Sequence, residues 1–175
     1  MVIYYTPRGN RGGSAAVYEL LEYAYRIEYG EPLPEIKRGF HGKPYFPGLP
    51  DVHFSLSHAA THVLCALASC PVGCDIESPR KISSRALEYF STPDELLLFE
   101  PLELWVLKES YVKLYGQTIA SIRDLRFSRE GEVIIAPDTS VSARLYKVGG
   151  RDCNYECPAA VCCVAEVLPD SIILV

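Results

Sequence analysis

Three short apolar runs follow one another closely in residues 52–77, and they constrain the fold more than any other feature of the chain. The runs read VHFSLS (52–57), HVLCALAS (62–69) and VGCDIE (72–77). Their length, their β-branched and aromatic content and the turn residues between them predict three strands. Because helical periodicity flanks these strands on both sides, the chain is predicted to be an α+β protein.

One long helix is predicted before these strands and two helices after them. The first helix is predicted to begin with Ser14 as its capping residue and to end at Gly30. Its apolar face comprises Val17, Leu20, Leu21 and Ala24. The later helices are predicted at 82–98 and 101–116. Further strands are predicted at 2–5, 125–128, 133–136, 141–148 and 159–167, with REGE (129–132) as a hairpin turn.

Residues 31–51 are the longest stretch without a predicted element. They contain five of the thirteen prolines and three glycines, which is typical of an irregular loop. A loop of this length in a compact domain is usually functional. Lys43, between Gly42 and Pro44, is a cation on a stiffened part of this loop, able to line a ligand, although a loop lysine is more often simply solvated.

Two strand segments resemble each other, HVLCALA (62–68) and AVCCVAE (160–166). Each lies late in its half of the chain. The similarity is compatible with an internal duplication of an α+β unit, but it does not establish one by itself.

Composition excludes several classes of protein. A net charge of −5 argues against general nucleic-acid binding, and no apolar stretch reaches the length of a membrane span. Residues 1–20 lack the apolar stretch of a secretory signal, so a reducing, cytoplasmic location is expected. The seven cysteines are expected to be reduced thiols rather than a zinc site, because their spacing is loose. They are Cys65, Cys70, Cys74, Cys153, Cys157, Cys162 and Cys163.

Asp75 and Glu77 lie two residues apart in the third predicted strand, so their carboxylates point to the same face. Two adjacent anions repel each other. One interpretation is a strand end at which the carboxylates meet water or the neighbouring Arg80 or Lys81. The other is a site for a hard cation such as Mg²⁺, which favours carboxylates together with substrate phosphates.

Further polar candidates lie on the last predicted helix and at the first strand end. Glu109 and Lys113, at i and i+4, share a face of that helix, as a surface ion pair or as groups directed at a phosphate. Leu104, Leu107, Tyr111 and Leu114 form the core stripe of the same helix. Ser57 and His58 lie where a strand meets its turn, suited to binding a phosphate, although an isolated histidine is more often structural.

Taken in their order along the chain, the motifs resemble those of the 4′-phosphopantetheinyl transferases, specifically the single-chain type that activates surfactin synthetase. The matching segments are Gly42-Lys43-Pro44, FSLSH (54–58), Gly73-x-Asp75-x-Glu77 and Trp105-x-x-Lys108-Glu109-Ser110-x-x-Lys113. Ser55 stands where the family usually has Asn, and Ala59 where it often has Ser. The part before Gly42 is shorter than in the single-chain enzymes, with Arg8 and Arg11 as the only nearby basic substitutes.

The resemblance implies a fold of two pseudo-repeated α/β halves with mostly antiparallel sheet. Residues 1–70 would lie on the adenine and 3′-phosphate side of coenzyme A, and residues 71–175 would carry the metal strand and the catalytic helix. It implies transfer of 4′-phosphopantetheine from coenzyme A to a serine of an apo acyl or peptidyl carrier protein, with release of adenosine 3′,5′-bisphosphate.

The resemblance also assigns roles to individual residues. The expected ligands of Mg²⁺, or of Mn²⁺ in its place, are Asp75, Glu77 and Glu109. The expected catalytic residues are Glu109 as base, Lys113 at the phosphate oxygens and Lys108 in support. The expected coenzyme A contacts are Gly42, Lys43, Pro44, Ser57, His58, Arg8 and Arg11.

A basic segment after the metal strand is a candidate docking site for an acidic carrier. It comprises Arg80, Lys81 and Arg85, with Leu87, Tyr89 and Phe90 adding apolar contact, and the alternative is a solvated helix start. The chain is expected to act as a monomer without membrane or nucleic-acid partners. Two other functions stay open: a carrier-binding relative with weakened chemistry, and another Mg²⁺-dependent transferase that uses a nucleotide diphosphate.

Overall fold

Two β-sheets face each other, and one long helix covers the outer side of each sheet. The computed structural model describes residues 1–149, 156–164 and 167–175. The strands are β1 (Val2–Pro7), β2 (Lys37–Arg38), β3 (Pro44–Tyr45), β4 (His53–His58), β5 (His62–Ala68), β6 (Val72–Ile76), β7 (Ser128–Glu130), β8 (Val133–Ile135), β9 (Val141–Val148), β10 (Cys157–Val164) and β11 (Ile173–Leu174). The helices are α1 (Gly13–Tyr29), α2 (Ser84–Phe90), α3 (Pro93–Leu98) and α4 (Pro101–Tyr115).

The sheets are antiparallel except at one edge. The first sheet has the order β11–β1–β5–β4 and the second β6–β10–β9–β8–β7, while β2 and β3 form a small hairpin. Only the pairing of β1 with β11 is parallel among the described strands. The proposed boundary near residue 70 falls between β5 and β6, and β11 crosses back to the first sheet. The combination of helices with mostly antiparallel sheets confirms the α+β class.

The central strands β5 and β10 are buried on both faces. Leu64, Ala66 and Ala68 of β5 pack between the sheets with Ala159, Val161 and Cys163 of β10. The alternate residues Val63, Cys65 and Leu67 pack against α1, and Ala160 and Cys162 pack against α4. Burial of both faces explains why the two strands read as continuous apolar runs.

Helix α4 approaches β6 closely because Gly73 has no side chain. A Cβ at this position would lie 2.0 Å from the Ser110 carbonyl oxygen and 2.4 Å from the Leu114 amide nitrogen. The predicted core stripe of α4 is confirmed, since Leu104, Leu107, Tyr111 and Leu114 are all buried. The opposite face of the helix is thereby free to carry polar groups beside β6.

Two helix predictions were wrong in detail. Gly12 precedes α1 and Ser14 lies inside the helix, so Ser14 is not the capping residue. The predicted helix 82–98 is two helices, because Thr92 and Glu95 form a capping box and Pro93 starts a new helix. Gly30 does end α1 in the left-handed region, at φ 71°.

Most predicted strands agree with the observed ones, with two corrections. The strand predicted at 125–128 is observed at Ser128–Glu130, so Arg129 and Glu130 of REGE belong to β7 and the turn to β8 lies at Gly131, which has φ 59°. The short strands β2 and β3 lie in the stretch 31–51, for which no element was predicted. Residues 165–166 of the predicted last strand lie outside the described residues, as does Cys153. The six described cysteines are free thiols. Within the described part, no helix is both long and apolar enough to span a membrane.

Candidate active site

A cavity of about 250 Å³ lies where the ends of β4 and β6 meet one face of α4. Its charged and polar lining residues are Ser57, His58, Asp75, Glu77, Trp105, Glu109 and Lys113. They come from β4, from the end of β6 and from α4, three elements that are separate in the chain. Most of the residues expected from the sequence to act on a phosphate are therefore brought together.

An ion pair and a serine hydroxyl form the centre of the site. Lys113 Nζ lies 2.6 Å from Asp75 Oδ1 and donates to Ser57 Oγ at 3.0 Å. Ser57 in turn donates to Asp75 Oδ1 at 2.7 Å. Burial alone would lower the pKa of Lys113, but the Asp75 carboxylate and other nearby anions raise it. The ammonium is therefore charged and held beside the carboxylate.

Two serines of β4 attach this strand to the free edge of β6. Ser55 Oγ accepts a hydrogen bond from the Cys74 amide at 2.9 Å, and Ser57 Oγ accepts one from the Ile76 amide at 3.3 Å. These bonds satisfy backbone donors that an edge strand otherwise leaves open. Analysis of the sequence missed this role, although serines at i and i+2 in FSLS point to the same face and are a usable signal.

The Glu109 carboxylate has no hydrogen-bond partner among the described residues. Burial raises the pKa of its carboxyl group to about 7, with Asp75 and Glu77 adding to the rise and Lys113 opposing it. A carboxyl group that titrates near neutral pH in a cavity is typical of a general base or of a cation ligand.

Glu77 is held by two neighbours. Trp105 Nε1 donates to Glu77 Oε1 at 3.1 Å, and Arg80 donates from Nη2 to Oε1 at 3.2 Å and from Nε to Oε2 at 3.3 Å. The Arg80 guanidinium also lies over the Trp105 ring, 5.8 Å from its centroid. The strand-end interpretation, in which a carboxylate meets Arg80, therefore describes Glu77 in this conformation.

The three carboxylates fit an oxygen-coordinated cation in their chemistry. All of them line the same cavity, and Glu109 has no cation of its own. Within residues 1–149, 156–164 and 167–175, no group of three potential ligands lies close enough to hold a metal ion. In this arrangement Lys113 is paired with Asp75, and Arg80 and Trp105 donate to Glu77. Coordination by all three requires these partners to be exchanged.

The structure does not bring Lys108 to the cavity, and the supporting catalytic role expected for it is corrected. Lys108 is fully buried, and its Nζ lies 2.8 Å from Glu95 Oε1. It also donates to the carbonyl oxygens of Phe90 and Leu125 at 2.5 and 2.9 Å. Because successive helix residues point about 100° apart, Lys108 faces the core when Glu109 faces the cavity.

Lys43 is engaged by backbone rather than open to a ligand. Its Nζ donates to the carbonyl oxygens of Val72 at 3.1 Å and of Leu114 at 2.7 Å. Burial lowers the pKa of this ammonium to about 8. Lys43 thus ties the start of β6 to the carboxyl end of α4.

A second cavity of about 200 Å³ lies beside the Gly42–Pro44 segment. Leu56 and Lys113 line this cavity and also the first one, so the two are neighbours. His41 and Gly42 have left-handed backbone at φ 58° and φ 81°, which is uncommon for a histidine. The loop expected to border the adenine is therefore adjacent to the charged cavity.

The remaining expected coenzyme A contacts lie at the start of α1. A Cβ on Gly13 would lie 2.7 Å from His58 Nδ1, so the exposed His58 ring packs against this helix start. Arg8 Nε is buried and has no hydrogen-bond partner in the described part of the chain. Arg11 is paired with Glu19 at 2.7 Å and does not reach the cavity.

The basic segment after β6 is on the surface, with one correction. Arg80, Lys81 and Arg85 are exposed, but Phe90 is 1% exposed and packs edge-on against Trp105, so it is not available to a partner. Exposed apolar side chains on the two helices that follow include Tyr89 of α2 and Leu97 of α3. Leu97, at 84% exposure, was not expected from the sequence.

Comparison with known proteins identifies relatives for this arrangement. Residues 71–162 match the family model of the 4′-phosphopantetheinyl transferase superfamily. The chain is 34% identical over 148 residues to 4′-phosphopantetheinyl transferase Sfp of Bacillus subtilis (strain 168), an alignment that covers 77% of this chain and 65% of that protein. It is 32% identical over 131 residues to 4′-phosphopantetheinyl transferase psf-1 of Bacillus pumilus, covering 66% and 56%.

A further relative is 4′-phosphopantetheinyl transferase gsp of Aneurinibacillus migulanus, 33% identical over 91 residues, which are 46% of this chain and 38% of that protein. The chain thus spans between about two fifths and two thirds of the length of these curated relatives. The family match covers β6 and α4, the elements that supply Asp75, Glu109 and Lys113, and most of β10.

Proposed function

Because the chain belongs to the 4′-phosphopantetheinyl transferase superfamily, we propose that it transfers the 4′-phosphopantetheine group of coenzyme A to a serine of an apo acyl or peptidyl carrier protein. The observation that carries this proposal is the meeting of Asp75, Glu109 and Lys113 in one cavity. Three relatives with the same activity in their names support it.

In the proposed reaction, the serine oxygen of the carrier bonds to the phosphorus atom that carries the pantetheine arm. The bond from this phosphorus to the bridging oxygen breaks, and adenosine 3′,5′-bisphosphate leaves with that oxygen. The serine proton passes to Glu109, directly or through water. Glu109 suits this role because its carboxylate lies in the cavity beside Asp75 and Lys113.

The charge of the pyrophosphate is the main electrostatic demand of this reaction. Asp75, Glu77 and Glu109 would hold Mg²⁺, or Mn²⁺ in its place, and the bound cation would supply neutralisation of that charge. With Asp75 as a ligand of that cation, the Lys113 ammonium, which is paired with Asp75 here, would be available to the phosphate oxygens. Ser57, which contacts both groups, keeps them aligned.

The adenosine end of coenzyme A is proposed to lie in the second cavity, beside Gly42, Lys43 and Pro44. Lys43 would border the adenine through its stem and backbone, because its ammonium is bound to two carbonyl oxygens. His58 and Arg8 are proposed to meet the 3′-phosphate at the start of α1. The unpartnered Nε of Arg8 supports this assignment.

The carrier protein is proposed to dock on the exposed cations Arg80, Lys81 and Arg85, with Tyr89 and Leu97 as apolar contacts.

The two sheets have a similar strand arrangement. In the first sheet, β1, which precedes the long helix α1, lies beside β5. In the second sheet, β6, which precedes the long helix α4, lies beside β10. This correspondence supports the proposal of two pseudo-repeated halves at 1–70 and 71–175. We further propose that the chain acts as a cytoplasmic monomer.

The test is an incubation of the protein with coenzyme A, Mg²⁺ and a purified apo peptidyl or acyl carrier protein, followed by measurement of the intact mass of the carrier. The expected result is addition of one 4′-phosphopantetheine group and release of adenosine 3′,5′-bisphosphate. Carriers that Sfp modifies under the same conditions are the control. Unmodified carriers in every case would sink the proposal, and binding without modification would favour a carrier-binding relative.

A further inference from the structure

Arg80 occupies a carboxylate that the proposed function assigns to the metal ion. It donates to both oxygens of Glu77, at 3.2 and 3.3 Å. We propose that Arg80 is a positioning residue that withholds Glu77 from the metal ion until an acidic group of the carrier protein takes the guanidinium. This inference rests on the proposed function, and it adds a coupling between carrier docking and the metal site.

The hydrogen bonds at Glu77 leave little room for a further ligand. A carboxylate oxygen has about two lone-pair directions. Glu77 Oε1 already accepts from Arg80 Nη2 and from Trp105 Nε1, so both directions are used. Oε2 accepts from Arg80 Nε and keeps one direction open. A cation can therefore bind Oε1, or both oxygens of Glu77, only if Arg80 or Trp105 moves away.

Arg80 is the partner that can leave. The Trp105 ring is fixed by its edge-on contact with the buried Phe90. The Arg80 side chain is 47% exposed, against 25% for Glu77, so a docking partner reaches the guanidinium from solvent. An ion pair with this exposure changes an equilibrium by at most about fivefold. It is weak enough to be exchanged and strong enough to be measured.

Charge complementarity identifies the occupant that would release Glu77. Arg80 begins a surface cluster with Lys81 and Arg85, and neither of the latter has an ion-pair partner in the described part of the chain. Such a cluster attracts an acidic protein surface. A carboxylate from that surface would replace Glu77 on Arg80 without leaving the guanidinium unpaired.

The coupling must act in both directions. If an acidic carrier frees Glu77 and tightens metal binding, then a bound metal ion frees Arg80 and tightens carrier binding by the same factor. The metal site would therefore be completed most readily when the second substrate is in place.

The first test measures Mn²⁺ affinity of the protein alone, by electron paramagnetic resonance or calorimetry, for the wild type, Arg80→Ala and Lys81→Ala. Lys81→Ala removes a neighbouring positive charge that does not touch Glu77, and it corrects for the general electrostatic effect. We expect Arg80→Ala to bind Mn²⁺ about two- to fivefold more tightly than Lys81→Ala. Equal or weaker binding by Arg80→Ala overturns the inference.

The second test repeats the measurement with a peptidyl carrier protein whose acceptor serine is replaced by alanine, so that no transfer takes place. The carrier is expected to tighten Mn²⁺ binding of the wild type but not of Arg80→Ala. The same change in both proteins, or a change in neither, contradicts release by the carrier. Both readouts are independent of transfer, so their failure is distinct from failure of the proposed function.

Discussion

Glu109 is the one carboxylate of the site that no neighbouring cation holds in the described part of the chain. Asp75 has Lys113, and Glu77 has Arg80 with Trp105. Burial and the two other carboxylates outweigh the opposing charge of Lys113, so the pKa of Glu109 rises to about 7. A carboxyl group in this environment makes the fold less stable when it is ionised.

This gives a prediction for stability. Between the ordinary pKa near 4.5 and the raised pKa near 7, the folded state binds more protons at Glu109 than the unfolded state does. The stability that this proton contributes is complete below pH 4.5 and is lost as the pH rises through 7. Glu109→Gln removes the loss, so the variant should be more stable than the wild type at pH 8, by on the order of 1 kcal/mol after solvent screening.

Urea unfolding in metal-free buffer at pH 5 and pH 8 measures the difference. At pH 5 the advantage of Glu109→Gln should be much smaller than at pH 8. The exposed Glu88 of α2 offers a matched control, and Glu88→Gln should be neutral at both pH values. An equal effect of Glu109→Gln at both pH values would show that its ionisation does not act on stability.

At the scale of secondary-structure elements, the contact of α4 with β6 positions the site. The contact depends on Gly73, where a Cβ would overlap the helix backbone. Gly73→Ala should therefore destabilise the protein by about 2–3 kcal/mol, because the helix must move away from the strand. Urea unfolding measures this, with Gly39→Ala as control, since a Cβ there meets only ordinary contacts from 3.6 Å. A Gly73→Ala cost as small as that of the control would refute the close approach.

The buried pair of Lys108 and Glu95 joins α3 and α4. Glu95 also accepts from the Phe127 amide at 3.1 Å, which fixes the segment before β7. Lys108→Met leaves the Glu95 carboxylate buried without its cation and should cost about 3–5 kcal/mol. Adding Glu95→Gln should recover more than about 1 kcal/mol of this loss in chemical denaturation. A double variant no more stable than Lys108→Met would contradict a paired buried charge.

The elements that could be predicted from the sequence are those with a strong local pattern. Alternation and apolar runs predicted β4, β5, β6 and β9 to within one residue at either end. The break between α2 and α3 at Pro93 was missed, and Ser14 was wrongly predicted to cap α1. Both errors arise because capping depends on backbone geometry as well as on residue type. Lys108 was misplaced because its buried partner Glu95 lies on another helix, which helical spacing does not reveal.

The site, too, could be predicted where its residues follow a motif and could not be predicted where its contacts depend on the tertiary structure. Asp75, Glu109 and Lys113 could be placed together from their motif order, and the cavity contains all three. The exchangeable partners Arg80 and Trp105 of Glu77 depend on tertiary contacts of side chains.

At the scale of the whole molecule, the two proposed halves are joined by polar contacts as well as by the core between the sheets. Ser55 and Ser57 of β4 hold the edge of β6, and Lys43 bridges β6 and α4. Strand β11 returns from the second half to pair with β1. The halves are therefore expected to unfold together.

This expectation is tested with two probes. Trp105 is the only tryptophan and lies in the second half, whereas far-ultraviolet circular dichroism reports on both halves. The two signals should follow the same urea transition. Ser55→Ala, which leaves the Cys74 amide without its acceptor, should lower stability by about 1–3 kcal/mol while keeping the transitions together. Separate transitions in the wild type would mean that the halves unfold independently.

The central claim is that the cavity formed by Asp75, Glu109 and Lys113 carries out the transfer. The most direct measurement is kcat for phosphopantetheine transfer to an apo carrier by Glu109→Gln at pH 8, with Glu88→Gln as control. The account predicts a loss of at least about a hundredfold for Glu109→Gln, as expected on removal of a general base, in a protein that is folded and no less stable. A rate within about threefold of the wild type would contradict it.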